Sequence, residues 1–280
     1  GPAPARGAVP MLDLIAEMLS YQFLVRAASV GLMVSLCSAL LGVSLVLKRY
    51  SMIGDGLSHV GFGALAAAVA MGASPLGITI PVVVAAAVLL LRLTDGSGIK
   101  GDAAIGLISV SSLAAGVTAI SLSGGINTDI CNYMFGSILA MSKSDVRLSI
   151  ASSAGVLLLF LLCYNRIFAV TFDEDFARAT GVEAGLCNIV IAVLTGVTIA
   201  VGMRLMGALL ISGLIIFPAV TSMRFFKSFR GVVFSAASVS LSSFLVGLVL
   251  SYTASMPAGA SIVLVNLALF LIFTAAGRLR

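Results

Sequence analysis

One histidine, His59, serves a chain of 280 residues in which only 10% of side chains are charged and 60% are hydrophobic. With a mean hydropathy of +1.18, apolar runs near the twenty residues that cross a bilayer core recur along the chain. That poverty of charge excludes a soluble enzyme and describes an integral membrane protein. Nucleic-acid binding is excluded too, because the 16 Lys and Arg are scattered at the ends of apolar runs instead of gathered on one face. Cys37, Cys131, Cys163 and Cys187 lack the C-x-x-C spacing of a zinc ribbon or redox pair, and three of them lie in or beside apolar stretches as small buried hydrophobes. No G-x-x-x-x-G-K-[ST] loop occurs, so the chain has nothing with which to cradle and hydrolyse ATP. The G-x-G-x-x-G match from Gly96 to Gly101 joins two apolar helices, not a strand and a helix, and reads as a flexible loop. An intramembrane hydrolase would have only Ser58 or Ser212 as nucleophile, without a defining motif.

What is present is a series of spans, expected at 20–47, 52–72, 77–93, 103–123, 146–165, 186–203, 206–223, 231–253 and 259–276. The expectation is an all-α polytopic membrane protein of about nine transmembrane helices, eight to ten at the limits. Residues 1–10, GPAPARGAVP, carry no periodicity and begin with a Gly-Pro that resembles a tag-cleavage scar, so the natural chain is expected to start near Met11, with no cleavable signal peptide. Residues 11–280 then form one transmembrane domain with short loops. Placing the C-terminus in the cytoplasm puts eleven Lys and Arg inside and leaves Arg6, Arg26, Lys143, Arg147 and Arg204 outside, the orientation favoured by the positive-inside rule.

Asp55 and His59 stand four residues apart within the second span, SMIGDGLSHVGFGALAAAVAMG. His59 is ten residues beyond Arg49, roughly 15 Å along a helix and so close to the midplane of the bilayer. Spacing of four stacks Ser51, Asp55, His59 and Gly63 on one stripe, with Ser58 to one side. A carboxylate oxygen with an imidazole nitrogen suits Zn²⁺ and also accommodates Mn²⁺ or Fe²⁺. Two ligands do not complete a tetrahedral site, but two copies of the chain about a two-fold axis would supply two Asp and two His. The pair could instead bond each other or a neighbouring helix as buried polar glue, but ionisable groups at this depth are costly and mark ion pathways. A proton-coupled secondary transporter would use the same two side chains as a relay and would need no ATPase.

Three further features surround this pair. The segment from Gly124 to Asp145, with Asn127, Asp129 and Asn132 ahead of a short apolar stretch, fits a helix dipping back into the protein near a pathway, and equally an amphipathic surface helix. Pro218 is expected to kink or interrupt its span and is a gating candidate. Between two spans, TFDEDFARATGVEAG from Thr171 to Gly185 opens with Asp173, Glu174 and Asp175, continues through Phe176, Ala177 and Ala179, and meets a stop at Gly181. That describes a short cytoplasmic helix, either a cap on its loop or a knob able to dock a separate ATPase.

The blocks KRYSMIGDGLSHVGFGALA (48–66), AIGLISVSSLAAGV (104–117), DICNYMFGSIL (129–139), FDEDFARATG (172–181), MGALLISGLIIFPAVTS (206–222) and PAGASIVLV (257–265) follow in order, and together the chain resembles the zinc/manganese permease family of bacterial ABC transporters. The resemblance runs from about Phe23 to Ala275. It implies a type II ABC importer-like permease of the bacterial plasma membrane that pairs with a second copy of itself. Two cytoplasmic ATPases would bind through a coupling helix at 172–185, including Phe172, Asp173, Glu174, Phe176, Ala177, Arg178 and Gly181. An extracytoplasmic solute-binding protein would deliver the metal, and no cofactor would be held permanently. In the family the D-x-x-x-H pair resembles a metal-coordinating site, which falls here on Asp55 and His59. Manganese members often read like G-D-A-I-S-H-A-V-L-P-G at this point, whereas Gly56 follows Asp55 here and no proline follows His59, a pattern closer to zinc members.

Overall fold

The computed structural model describes residues 17, 20–96, 101–122 and 143–278. They form α1 (Gln22–Leu47), α2 (Ile53–Ala70), α3 (Pro75–Gly96), α4 (Gly101–Leu122), α5 (Lys143–Phe172), α6 (Glu174–Ala179), α7 (Ala184–Met206), α8 (Ala208–Met223), α9 (Phe229–Ala254) and α10 (Ala258–Arg278). Eight of these helices are long and apolar enough to cross a membrane. α8 is equally apolar but has only 16 residues, roughly 24 Å, so it falls short of a full crossing. The nine expected spans thus all correspond to helices, one of them short.

α8 forms the middle of the bundle, packed against α1, α2, α7, α9 and α10. Its Leu210, Ile211, Leu214, Ile215 and Ala219 are almost wholly buried. Pro218 lies within α8 without interrupting it, as the helix runs on to Met223. The break in this stretch is instead at Gly207, whose φ of 87° and ψ of 159° suit glycine and end α7 before α8 turns back. Small residues let backbones meet. A Cβ on Gly116 of α4 would stand 2.7 Å from the Cα of Gly63 in α2, and one on Gly42 of α1 would collide with the Ile215 carbonyl of α8. α2 and α4 run parallel, with Gly56 beside Ile105 and Gly63 beside Ser112.

α5 departs most from expectation. It continues past Arg166, the residue at which the span was expected to end, for a total of 30 residues. The added turns have their own packing: Ile167 and Val170 are buried, and the rings of Phe168 and Phe172 stand 5.0 and 5.8 Å from that of Phe229. Arg166 therefore does not mark the helix end. The bundle end expected in the cytoplasm gathers Lys48, Phe172, Phe229 and Arg224, the last 5.8 Å above the Phe270 ring. At the opposite end Arg204 of α7 forks onto Asp145 of α5 at 3.1 and 3.0 Å.

Candidate functional site

α2 has an unusual burial pattern. From Ile53 to Ala68 every residue is buried except Asp55, His59, Gly63 and Ala67, four positions at a strict spacing of four. In one copy of the chain the Asp55 side chain is 50% exposed and that of His59 24% exposed. The other faces of α2 are fully occupied by α3, α4, α7 and α8. A partly open ribbon therefore begins at Asp55 and His59, its only ionisable members, and is closed further along where Gly63 meets Ser112 and Gly116 of α4. Asp55 sits in the first turn, where a negative charge suits the helix dipole.

The Asp55 Oδ2 and His59 Nε2 atoms are 3.7 Å apart, beyond hydrogen-bonding distance. Two ligands each about 2.1 Å from a tetrahedral zinc stand about 3.4 Å from one another. Small side-chain rotations bring this pair to that separation. Among the described residues no third His, Cys, Asp or Glu joins them, so one copy offers at most two candidate ligands.

The remaining candidates are distributed around this ribbon. Ser51 lies in the α1–α2 turn, because α2 starts at Ile53, so it does not continue the helical stripe. Ser58 is buried, and its hydroxyl donates to the Gly54 carbonyl at 2.7 Å. Pro218 is buried inside the bundle. Asp129 and Asn132 fall outside the described residues.

The expected cytoplasmic helix is α6, six residues within the 172–185 segment. Phe172 ends α5, and Asp173 caps α6 by accepting from the Phe176 N–H at 2.9 Å. At the other end the Gly181 N–H donates to Arg178 and the Val182 N–H to Ala177, a Schellman arrangement that requires the φ of 85° at Gly181. Ala177 is wholly buried on Val170, Ala184 and Cys187, so the helix is fastened down by its underside. Phe172 and Phe176 stay 58% and 65% exposed, and Arg178 also projects. The outcome is a firm knob with two aromatic rings and a cation on its outer surface.

Sequence reasoning did not find what anchors this knob. Lys48 Nζ at the end of α1 is 3.5 Å from Glu174 Oε2 and donates to Asn188 Oδ1, while Asn188 Nδ2 donates to Glu174 at 3.2 Å. Arg178 adds a further bond to Glu174 at 2.6 Å. Partial burial alone would raise the Glu174 pKa, but the Asn188 amide, Arg178 and Lys48 outweigh it and hold the carboxyl below its ordinary value. The available clue was Asn188 itself, an amide at the head of an apolar span, which needs partners.

These features can be set beside known proteins. A model of the ABC 3 transport family matches residues 20–277. The zinc uptake system membrane protein ZnuB of Haemophilus influenzae is 28% identical over 255 residues, covering 90% of this chain and 97% of that protein. The manganese import system permease ScaB of Streptococcus gordonii is 26% identical over 260 residues, with 93% of each chain covered. Among solved structures, PsaBC from Streptococcus pneumoniae in complex with Fab superposes with a TM-score of 0.82 at 27% identity, covering 94% of this chain and 95% of that one. The match runs the length of the bundle, and the chain belongs to the ABC 3 transport family as a multi-pass permease of the bacterial plasma membrane, a metal-uptake subunit that leaves ATP hydrolysis to separate chains.

Proposed function

We propose that this chain is the membrane-spanning half of an ATP-driven importer of divalent transition metal, with zinc as its cargo ahead of manganese or iron. The observation that supports it most is the partly open ribbon on α2, which presents Asp55 and His59 while the rest of the helix is enclosed. A second copy facing this ribbon supplies another Asp and His, and the four together form a tetrahedral set for a borderline ion. The set is shared between subunits, so it is undone when they separate, as release of the cargo demands.

Two cytoplasmic ATPases dock on the α6 knobs, and an extracytoplasmic binding protein delivers the ion to the other side. Closure of the ATPases moves the knobs and re-orients the paired permeases, so that the Asp55/His59 level opens alternately to each face. Overall similarity does not separate the metals, since relatives named for zinc and for manganese match at 28% and 26%. The preference for zinc rests on Gly56 and on the lack of proline after His59.

The test is radiolabelled zinc uptake in a zinc-import-deficient bacterial host that expresses this chain with its cognate ATPase and binding protein. Uptake that disappears with a hydrolysis-dead ATPase is the expected result. Uptake indifferent to ATPase activity would move the assignment to proton-coupled transport, and uptake of manganese or iron but not zinc would change the cargo.

A further inference from the structure

The turn between α1 and α2 leaves little slack. Arg49 takes φ 63°, the Tyr50 N–H returns to the Leu45 carbonyl at 2.8 Å, and the Ile53 N–H returns to the Tyr50 carbonyl at 3.1 Å. The Tyr50 hydroxyl shares a hydrogen bond with Thr94 Oγ1 at 3.0 Å, and its ring packs closely over Gly101. Asp55 follows Lys48 by only seven residues, in the first turn of the helix that this tight connection leads into. Anything that displaces Lys48 therefore displaces the start of α2.

Lys48 is held from the other side by α6 and α7. Its side chain is 12% exposed, and Asn188, 6% exposed, bridges it to the Glu174 carboxylate. The three polar groups, with Thr171, line a cavity of about 210 Å³ beneath the knob. They are not the only anchor of α6, since the buried Ala177 contacts and both helix caps also hold it. A cation kept at this depth costs desolvation that a surface pair would avoid. What the buried arrangement adds is a stiff connection, at hydrogen-bond length, between the knob and the head of the ion-binding helix.

We propose that Lys48 is a positioning residue that links the α6 docking knob, through Glu174 and Asn188, to the head of α2, so that displacement of the knob re-aims Asp55 and His59. This rests on the proposed function, because it needs an ATPase on the knob and a metal on α2. Lys48 does not touch the cargo. Its part is to convert movement at one site into movement at the other, which is a coupling free energy and not a binding one.

The experiment reconstitutes the complete transporter, permease with its ATPase and binding protein, in proteoliposomes and measures radiolabelled zinc uptake and ATP hydrolysis in the same preparation. Lys48→Met, which keeps an unbranched side chain one atom shorter and removes the charge, should lower the zinc carried per ATP by about tenfold, within the range of such couplings. ATP hydrolysis should remain near the wild-type rate. Lys48→Arg keeps charge and reach and should keep most of the ratio. Asn188→Leu breaks the same connection from the α7 side, and it decides the matter should Lys48→Met not assemble. Wild-type zinc-to-ATP ratios in both Lys48→Met and Asn188→Leu would overturn the proposal while leaving ATP-driven uptake intact. A wild-type transporter whose uptake ignores ATP would overturn the functional reading as well, and the two failures are told apart by that control.

Discussion

Asp55 Oδ2 and His59 Nε2 stand 3.7 Å apart on successive turns of α2, with Gly56, Leu57, Ser58 and Val60 buried around them. The helix thus encloses its apolar and small residues and leaves the two candidate ligands open. Substitutions in the outer shell of metal sites cost 10–100-fold, so loss of a proposed ligand through Asp55→Ala or His59→Ala should lower zinc affinity by at least about 100-fold. Both side chains are partly open and outside the packed faces of α2, so neither change should lower the thermal stability much. Isothermal titration of zinc into the detergent-purified protein checks the affinity, and full retention of binding in the double variant would remove the site.

The elements were legible because each span is a long apolar run closed by charge or a turn residue, and Asp55 and His59 were legible because ionisable groups are rare in such runs. Three things were not. The end of α5 was hidden because Ile167, Phe168 and Val170 pack against partners distant in sequence, so the helix outlasts its basic residue. The stripe was begun two residues early, at Ser51, whereas α2 starts at Ile53 because a tight turn at Arg49 and Tyr50 comes first. The bond from Lys48 to Glu174 spans 126 positions, and periodicity carries no record of a pairing at that distance.

The α2–α4 contact should tolerate no added atoms. In Gly116→Ala the new Cβ would arrive 2.7 Å from the Cα of Gly63, a backbone atom that cannot rotate away. Overpacking of this kind costs about 1–3 kcal/mol. Gly106 of the same helix has nothing within 4 Å of its ideal Cβ, so Gly106→Ala should be neutral or stabilising through helix propensity. Thermal unfolding in detergent compares the two, and equal effects would contradict the close approach.

Acid should weaken the polar anchor of the knob. Glu174 has a carboxyl pKa below its ordinary value in the folded protein, so folding favours its ionised form. Its contribution is fully present above the unfolded pKa, about 4.3, and is lost as pH falls through the lower folded value. Glu174→Gln should therefore be less stable than wild type at pH 7, and the gap should close on acidification through and below the usual glutamate range. Unfolding midpoints of both proteins across pH 3 to 7 measure this, and a gap that widens toward low pH would reverse the sign of the argument.

The pair at the opposite end should behave as a buried ion pair and not as a topology marker. The side chains of Arg204 and Asp145 are only 15% and 18% exposed, and the guanidinium makes two bonds to the carboxylate. Removing the cation alone leaves a poorly hydrated carboxylate, so Arg204→Ala should cost about 3 kcal/mol, the low end for breaking a buried pair from one side. Arg204→Lys keeps the charge but replaces a planar fork with a point donor, and should recover only part of this. Removing both charges, in Arg204→Ala with Asp145→Ala, takes away the poorly hydrated carboxylate as well and should be less damaging than Arg204→Ala alone. A double-mutant cycle in detergent gives the coupling, and strictly additive losses would mean that the two side chains, though in contact, do not stabilise each other.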